Sequence, residues 1–210
     1  DFIRVSRDFM ATPGVLKLLV YQALLPRLCP HCALPFRTLM QDGGKTMLGR
    51  LEGPLYWTTY GKRLERLYDL DLNELRITNP EGCAYCRTNG IPELYGTAGR
   101  TVVAEMFEPG LTDDFLQAIR TGDTIGLRRM FRELRTAPYT SPDMHGKTAM
   151  ECAIYKASCG QLDVREIEPR FQSFETVERQ RLAERPVTAE VKARKATTAA
   201  RSKQVADVQT

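Results

Sequence analysis

The sequence predicts an α+β fold in three parts: a lobe held together by a four-cysteine zinc site, a small helical bundle and a flexible tail. Two Cys-x-x-Cys pairs, Cys29–Cys32 and Cys83–Cys86, predict the lobe. Apolar residues at helical spacing after residue 111 predict the bundle. The final segment contains neither aromatic residues nor glycine, a composition that favours a chain without a packed core.

The two cysteine pairs have the spacing of zinc ligands. Each pair can place two thiolates on one tight turn, and four thiolates complete the tetrahedral shell of a structural zinc ion. No signal peptide is recognisable, so we expect a reducing cytosol, where metal binding is the more common use of such pairs. Two disulfides, or two pairs of buried free thiols, are the alternatives. The predicted metal ligands are Cys29, Cys32, Cys83 and Cys86.

Short patterns predict the secondary structure of the first part. Thr12-Pro13 has the form of a helix start, because proline is favoured at the first helical position. The apolar run that follows predicts a buried helix over 15–25. Residues 62–68 carry apolar side chains at helical spacing, and residues 101–107 have the β-branched composition of a strand.

The second part is predicted to contain three helices and a short fourth. Thr112 provides an N-cap for the first helix, and Gly122 provides its end. The second helix begins after Asp123, and the third covers about residues 147–159. A short fourth helix is expected over 163–167, capped by its aspartate.

We place domain boundaries at residues 110 and 174. The zinc-binding lobe covers 1–110, the helical domain 111–174, and a frayed helix with a disordered basic tail 175–210. The tail holds eight Lys/Arg and five Asp/Glu, so it contributes +3 of the net charge of +4. A weak excess of positive charge in the tail argues against a nucleic-acid-binding groove. It is compatible with weak contact between the tail and an acidic membrane surface. No apolar run reaches the ~20 residues of a membrane-spanning helix.

Two segments partly match a phosphate-binding loop: Gly43-Gly44-Lys45-Thr46 and Gly146-Lys147-Thr148. Such a loop requires a further glycine upstream, which lets the backbone curl around the phosphates. Leu39 and Ser141 occupy those positions, and neither segment follows an apolar strand. We interpret both matches as coincidental.

Five further residues have both an ordinary and a functional interpretation. His31 is expected to be exposed or beside the metal rather than a ligand, and His145 to lie in a turn. Cys152 and Cys159 are expected to be small buried side chains of the third helix, and pairing with thiols of a partner is the alternative. Arg100 is either a solvated turn residue or a candidate interface residue, presented beside the zinc lobe to a neighbouring subunit or an anionic ligand.

Four segments follow one another in a particular order: VYQALLPRLCPHC, GCAYCRTNG, YGTAGRTVVAEMFEPG and DDFLQAIRTGD. In this order they resemble the C-terminal part of the traffic ATPases, the hexameric motors of type II secretion and type IV pilus assembly. The matching positions are Gln22, Leu28-Cys29-Pro30-His31-Cys32, Cys83–Cys86, Gly99-Arg100 and Glu105. Residues 145–171 resemble the type IVb or conjugative thin-pilus members. The resemblance covers residues ~9–174.

The resemblance implies that residues 1–110 are the end of a RecA-like ATPase core that carries the zinc lobe. It implies a homo-hexamer and an inner-membrane platform protein as partners. ATP and magnesium would be cofactors of the intact motor only, in the cytoplasm at the periphery of the inner membrane. We expect no specific nucleic-acid partner.

The chain departs from the family pattern in several respects. Ala23 stands where the family has the arginine of Gln-Arg-Leu, so no arginine function carries over. The chain starts without Met, and the family's phosphate loop, acidic boxes and His-rich box precede the matching region. We therefore expect a fragment that is inactive alone, and assign no catalytic or nucleotide-binding residue. The alternative is a stand-alone zinc-ribbon module that binds nucleic acid or protein.

Overall fold

A computed structural model describes residues 5–88 and 90–183 of the chain. It shows a mixture of helices and short two-stranded sheets, so the predicted α+β class is confirmed. Of the described residues, those through Phe171 form one compact unit, and 172–183 belong to a second. The second unit contains a helix over 174–183, and the predicted tail beyond it lies outside the described residues.

Within the described part of the first unit, residues 5–88 and 90–171, there are six strands, seven α-helices and three 3-10 turns. The strands are β1 (Leu19–Leu28), β2 (Leu34–Pro35), β3 (Gly44–Lys45), β4 (Leu51–Glu52), β5 (Arg76–Ile77) and β6 (Thr97–Phe107). The helices are α1 (Arg7–Met10), α2 (Arg37–Asp42), α3 (Pro54–Tyr68), α4 (Asp113–Thr121), α5 (Thr124–Glu133), α6 (Ala149–Ser158) and α7 (Ile167–Arg170). The 3-10 turns are Pro92–Leu94, Pro109–Leu111 and Val164–Glu166. The helix predicted over 62–68 and the strand over 101–107 are confirmed within α3 and β6.

The helix predicted over 15–25 is wrong, because most of this segment belongs to strand β1. A continuous apolar run is compatible with a buried helix and with a buried strand, so periodicity does not decide between them. What decides is pairing with β6, which is antiparallel along almost the whole of β1. Pro26 is accommodated beside an irregularity in the register before Leu28. The helix start at Thr12-Pro13 is also wrong, since these residues form turns.

The helices predicted after residue 111 are confirmed. α4 follows Thr112, whose side chain makes no capping hydrogen bond, so the predicted side-chain cap is wrong although the helix start is right. The helix ends at Gly122, which adopts a left-handed conformation with φ of 72°. The side chain of Asp123 caps α5, and Thr148 begins α6 with a capping box. Asp163 caps the 3-10 turn that leads into α7, so the short fourth helix is also present.

The β1–β6 ribbon has a buried face from Ala23 onward, whereas residues 19–22 are exposed on both faces. Ala23, Leu25 and Val103 are buried, and α6 lies against this part of the ribbon. Two polar contacts fasten the helix there. The Lys156 Nζ donates to Thr101 Oγ1 over 2.6 Å, and the backbone N–H of Ala149 donates to Glu105 over 3.2 Å.

A buried ion pair joins the C-terminal part of this unit to the small sheets. Asp163 is 1% exposed, and its carboxylate lies 2.6 Å from Arg165 Nη2. The same carboxylate accepts the backbone N–H of Thr78 over 2.8 Å, just after β5. Arg165 also donates to the carbonyl of Lys45 in β3 over 2.9 Å. The pair therefore fixes β3 and the segment that leads to the second cysteine pair.

Candidate metal centre

The four predicted ligands meet in one cluster, which we call the four-cysteine cluster: Cys29, Cys32, Cys83 and Cys86. Their sulfur atoms all lie within 4.8 Å of one another. The Cys29–Cys83, Cys32–Cys86 and Cys83–Cys86 sulfur pairs are separated by 3.9, 3.8 and 3.9 Å. A tetrahedron with metal–sulfur bonds of about 2.3 Å has edges of about 3.8 Å, so this cluster could hold a metal ion.

The same separations argue against the disulfide alternative. A disulfide requires sulfur atoms about 2.05 Å apart. All six cysteines of the chain are free thiols in this structure. The other alternative, two separate pairs of buried free thiols, does not fit either. The two pairs lie together in one cluster, and of the four cysteines only Cys29 and Cys86 are buried.

Pairing between distant segments brings the two cysteine turns together. Cys29 directly follows β1, and a bond of 3.2 Å from the Ala33 N–H to the Cys29 carbonyl closes its turn. The second turn is closed by the Cys86 N–H, which donates to the carbonyl of Cys83 over 3.1 Å. The chain leaves the first turn through β2 and approaches the second through β5, and these strands pair with each other. The small β2–β5 sheet therefore sets the distance between the two turns.

Backbone N–H groups make one of the sulfurs a good metal ligand before any metal binds. The N–H groups of Cys83 and Gly96 donate to the Cys86 sulfur over 3.1 and 3.2 Å. Desolvation opposes ionisation of this thiol, but the two N–H groups and the neighbouring thiols lower the pKa of Cys86 to about 7. At Cys32, burial and hydrogen bonds with the neighbouring thiols raise the pKa above its usual value. Cys86 is therefore the first of these two thiols to lose its proton.

Gly96 connects both turns, and the sequence analysis missed it. Its N–H donates to Cys86, and its carbonyl accepts the Cys29 N–H over 2.8 Å. The residue has φ of +77°, and a Cβ here would lie 2.4 Å from the Asn79 carbonyl oxygen. Only glycine can adopt this positive φ and avoid the contact with Asn79 without a shift of the backbone. The available signal was its place five residues before the strand predicted over 101–107 and ten residues after Cys86.

His31 lies at the edge of the cluster and is not among its ligands. It is exposed, as expected, and its ring centroid is 4.4 Å from that of Tyr85. His31 belongs to the first cysteine turn and Tyr85 to the second, so this ring contact joins the two turns outside the sulfur cluster. His145 lies in a turn, also as expected.

The remaining candidates lie away from the cluster. Arg100 is exposed on β6 opposite Pro26, and its role at an interface stays a prediction. Cys152 is buried in α6, as expected, but the expected burial of Cys159 is wrong. The reason is that α6 ends at Ser158, so Cys159 follows the last helical residue instead of facing the core.

The two glycine-lysine-threonine segments have structural explanations. Gly44-Lys45 is the strand β3, and its hairpin partner is β4. Lys147 is fully buried, and its Nζ donates to the carbonyls of Tyr139 and Ser141 over 3.1 and 2.5 Å. The N–H groups at the start of α6 are already bonded to Glu105 and to the capping box. Neither segment therefore offers a lysine and a free turn to a phosphate.

Among residues 5–88 and 90–183, every helix is too short or too polar to cross a bilayer. Comparison of the sequence with known protein families and with curated proteins finds no match.

Proposed function

We propose that the four-cysteine cluster binds one structural zinc ion. The observation that carries this proposal is the tetrahedral spacing of four sulfur atoms supplied by two short turns. All-sulfur sites of this geometry suit zinc or iron–sulfur chemistry, and a single tetrahedral ion needs no inorganic sulfide. Four protein ligands leave no open position for a substrate or water, so the role of the ion is structural.

The zinc ion would fix the end of the β1–β6 ribbon. Cys29 follows β1, and Gly96, which contacts Cys86, lies one residue before β6. The segment between the cysteine pairs contains β2–β5 and α3, so metal binding would close a long loop. In such sites the free energy of metal binding becomes free energy of folding.

We further propose that the chain is the C-terminal region of a hexameric traffic ATPase that drives secretion or pilus assembly. The support is the order of the glutamine, cysteine, Gly-Arg and helical segments along the sequence. In this proposal residues 1–110 are the end of a RecA-like core, and the upstream part of that core binds ATP and magnesium. The present region contributes part of the subunit interface, with Arg100 as candidate, and coupling to an inner-membrane platform protein.

Removal of one ligand tests the metal proposal. Purified wild type is expected to contain about one zinc ion per chain, and Cys83→Ser to lose it and become sensitive to protease within residues 29–96. Cys159→Ser is the matched control, because this cysteine is exposed and lies outside the cluster. Unchanged zinc content and protease resistance in Cys83→Ser would exclude the four-cysteine site. If the purified protein is coloured and contains iron, the cluster is an iron–sulfur site and not a zinc site.

Two measurements test the motor proposal separately from the metal. The chain alone should show no magnesium-dependent ATP hydrolysis above background, and substantial hydrolysis would overturn the view that the catalytic core is missing. The coding sequence upstream of Asp1 should encode a phosphate loop. Its absence would leave the zinc site intact and remove the motor assignment.

A stand-alone zinc-ribbon module is the second candidate function. The compact cluster of two cysteine turns at the end of a β-ribbon favours it. Tight binding to DNA or RNA that weakens steeply with salt would support this candidate, because displaced counterions set that slope. We expect weak binding without sequence preference instead.

A further inference from the structure

The outward face of α5 carries a basic stripe. The stripe consists of Ile125, Arg128, Arg129 and Arg132, which are spaced i, i+3, i+4 and i+7 and therefore share one side of the helix. All four residues are exposed, and Ile125 is 81% exposed. The stripe contains three arginines and no acidic residue. We use the name basic stripe for these four residues below.

The opposite face of α5 holds the helix on the protein. Phe131 is buried, and its ring centroid lies 5.9 Å from that of Phe107 at the end of β6. Leu127, Met130 and Leu134 are half-buried on the same side. Because this side faces the core, the basic stripe faces solvent.

Residues of α1 lie against α4, the helix that precedes α5. A Cβ on Gly122 would lie 2.5 Å from Nη1 of Arg7, so this guanidinium lies against the end of α4. Phe9 is 57% exposed on α1, which packs against α4. Asp8 pairs with Arg120 over 3.6 Å, Asp123 caps α5, and Glu133 lies beside the stripe at its C-terminal end.

We propose that the basic stripe is a site of contact with an anionic membrane surface. Arginine side chains bind lipid phosphates and carboxylates, and an exposed isoleucine among them can enter the boundary between headgroups and acyl chains. A nucleic-acid site fits the same charges less well, because the stripe offers no aromatic side chain for bases and exposes a large aliphatic one instead. In this proposal α5, and not the basic tail, contacts the membrane. The proposal does not depend on the zinc site or on the motor assignment.

Vesicle binding by the full chain tests the inference. Sedimentation with phosphatidylcholine vesicles that contain phosphatidylserine should capture the protein at about 0.1 M salt, and pure phosphatidylcholine vesicles should not. The variant Arg128→Gln/Arg129→Gln/Arg132→Gln should lose about fivefold in affinity per arginine, on the order of a hundredfold in total. The triple lysine variant of the same positions should keep most of the binding, since lysine supplies the same charge.

A charge-matched control separates α5 from the tail. The variant Lys192→Gln/Arg194→Gln/Lys195→Gln removes three positive charges from the basic tail and should bind almost as well as wild type. An equal or larger loss in this variant would overturn the proposal, as would equal binding to pure phosphatidylcholine.

The isoleucine separates a membrane from a nucleic acid. Ile125→Ser should weaken vesicle binding about tenfold, because this side chain loses its apolar burial in the lipid boundary. Unchanged vesicle binding of Ile125→Ser, together with tighter binding of the wild type to a short DNA duplex, would make the stripe a nucleic-acid site and the proposal wrong.

Discussion

Replacing Gly96 with alanine is the most direct test of how the cluster is held. The N–H of this glycine donates to the Cys86 sulfur, and its carbonyl accepts the N–H of Cys29. One residue thus touches both cysteine turns through its backbone alone. A side chain at this position changes none of the four ligands, so its effect reports the support of the cluster.

The structure gives the size of the expected effect. The new Cβ would lie 2.4 Å from the Asn79 carbonyl oxygen and 2.7 Å from Thr78 Cγ2, so the backbone must move. A left-handed conformation costs alanine about 1–2 kcal/mol. Weakening of the two backbone hydrogen bonds adds about 1 kcal/mol each. We expect a total loss of about 3–4 kcal/mol in stability, and a fall in zinc affinity of roughly 10–100-fold, as for other groups that orient metal ligands.

Gly99→Ala is the matched control. Gly99 has φ of +74°, almost the same as Gly96, but a Cβ there would meet no atom within 4 Å. This variant should therefore lose only the conformational cost of about 1–2 kcal/mol and keep its zinc affinity. Urea unfolding with zinc bound, and competition for zinc with a chromophoric chelator, measure the two quantities. Equal losses in the two variants would refute the assigned role of Gly96.

Three further predictions concern the Cys86 thiol, the buried Lys147 and the ion pair of Asp163. Zinc affinity should rise with pH, and the rise should become less steep by about one order of magnitude per pH unit above about pH 7, because Cys86 has then lost its proton. In the metal-free chain, the stability that this low pKa contributes should be present above the usual thiol value of 9.0 and be lost as the pH falls through about 7. A pH series of chelator competition and of urea unfolding measures both, and a slope independent of pH would contradict the first. Lys147→Met should cost about 1–3 kcal/mol in urea unfolding, because two backbone carbonyls lose their buried donor, and an unchanged midpoint would contradict this. Asp163→Ala should lower the free energy of unfolding by about 3–5 kcal/mol, because Arg165 then keeps a buried charge without its partner carboxylate. Arg50→Ala, which removes the ion pair of an exposed arginine with Glu52, should lower it by less than about 1 kcal/mol. Similar losses in the two variants would contradict this prediction.

The parts of the fold that depend on local chemistry could be predicted from the sequence. Helix ends are local, because Thr112, Asp123 and Asp163 lie beside the N–H groups that they precede or cap. The cysteine pairs are local in the same sense, since each pair occupies one turn. Their meeting in space could be inferred from the chemistry of a four-thiolate site.

The parts that depend on distant partners could not be predicted in this way. The apolar run before the first cysteine forms a strand because β6 pairs with it, and that partner is remote in the sequence. Lys147 stands in a partial match to a phosphate-binding loop, and only the packed structure shows its ammonium group bonded to two carbonyls.

The sequence by itself determined which four cysteines could hold a metal ion, the capped helices and the α+β class, because spacing and capping act within a few residues. The tertiary structure decided that 19–28 is a strand, that Gly96 supports both cysteine turns, and that three arginines of α5 share an exposed face with Ile125. These features depend on which distant backbone groups approach one another and on which side of a helix faces the core. Spacing along the chain carries no direct record of either.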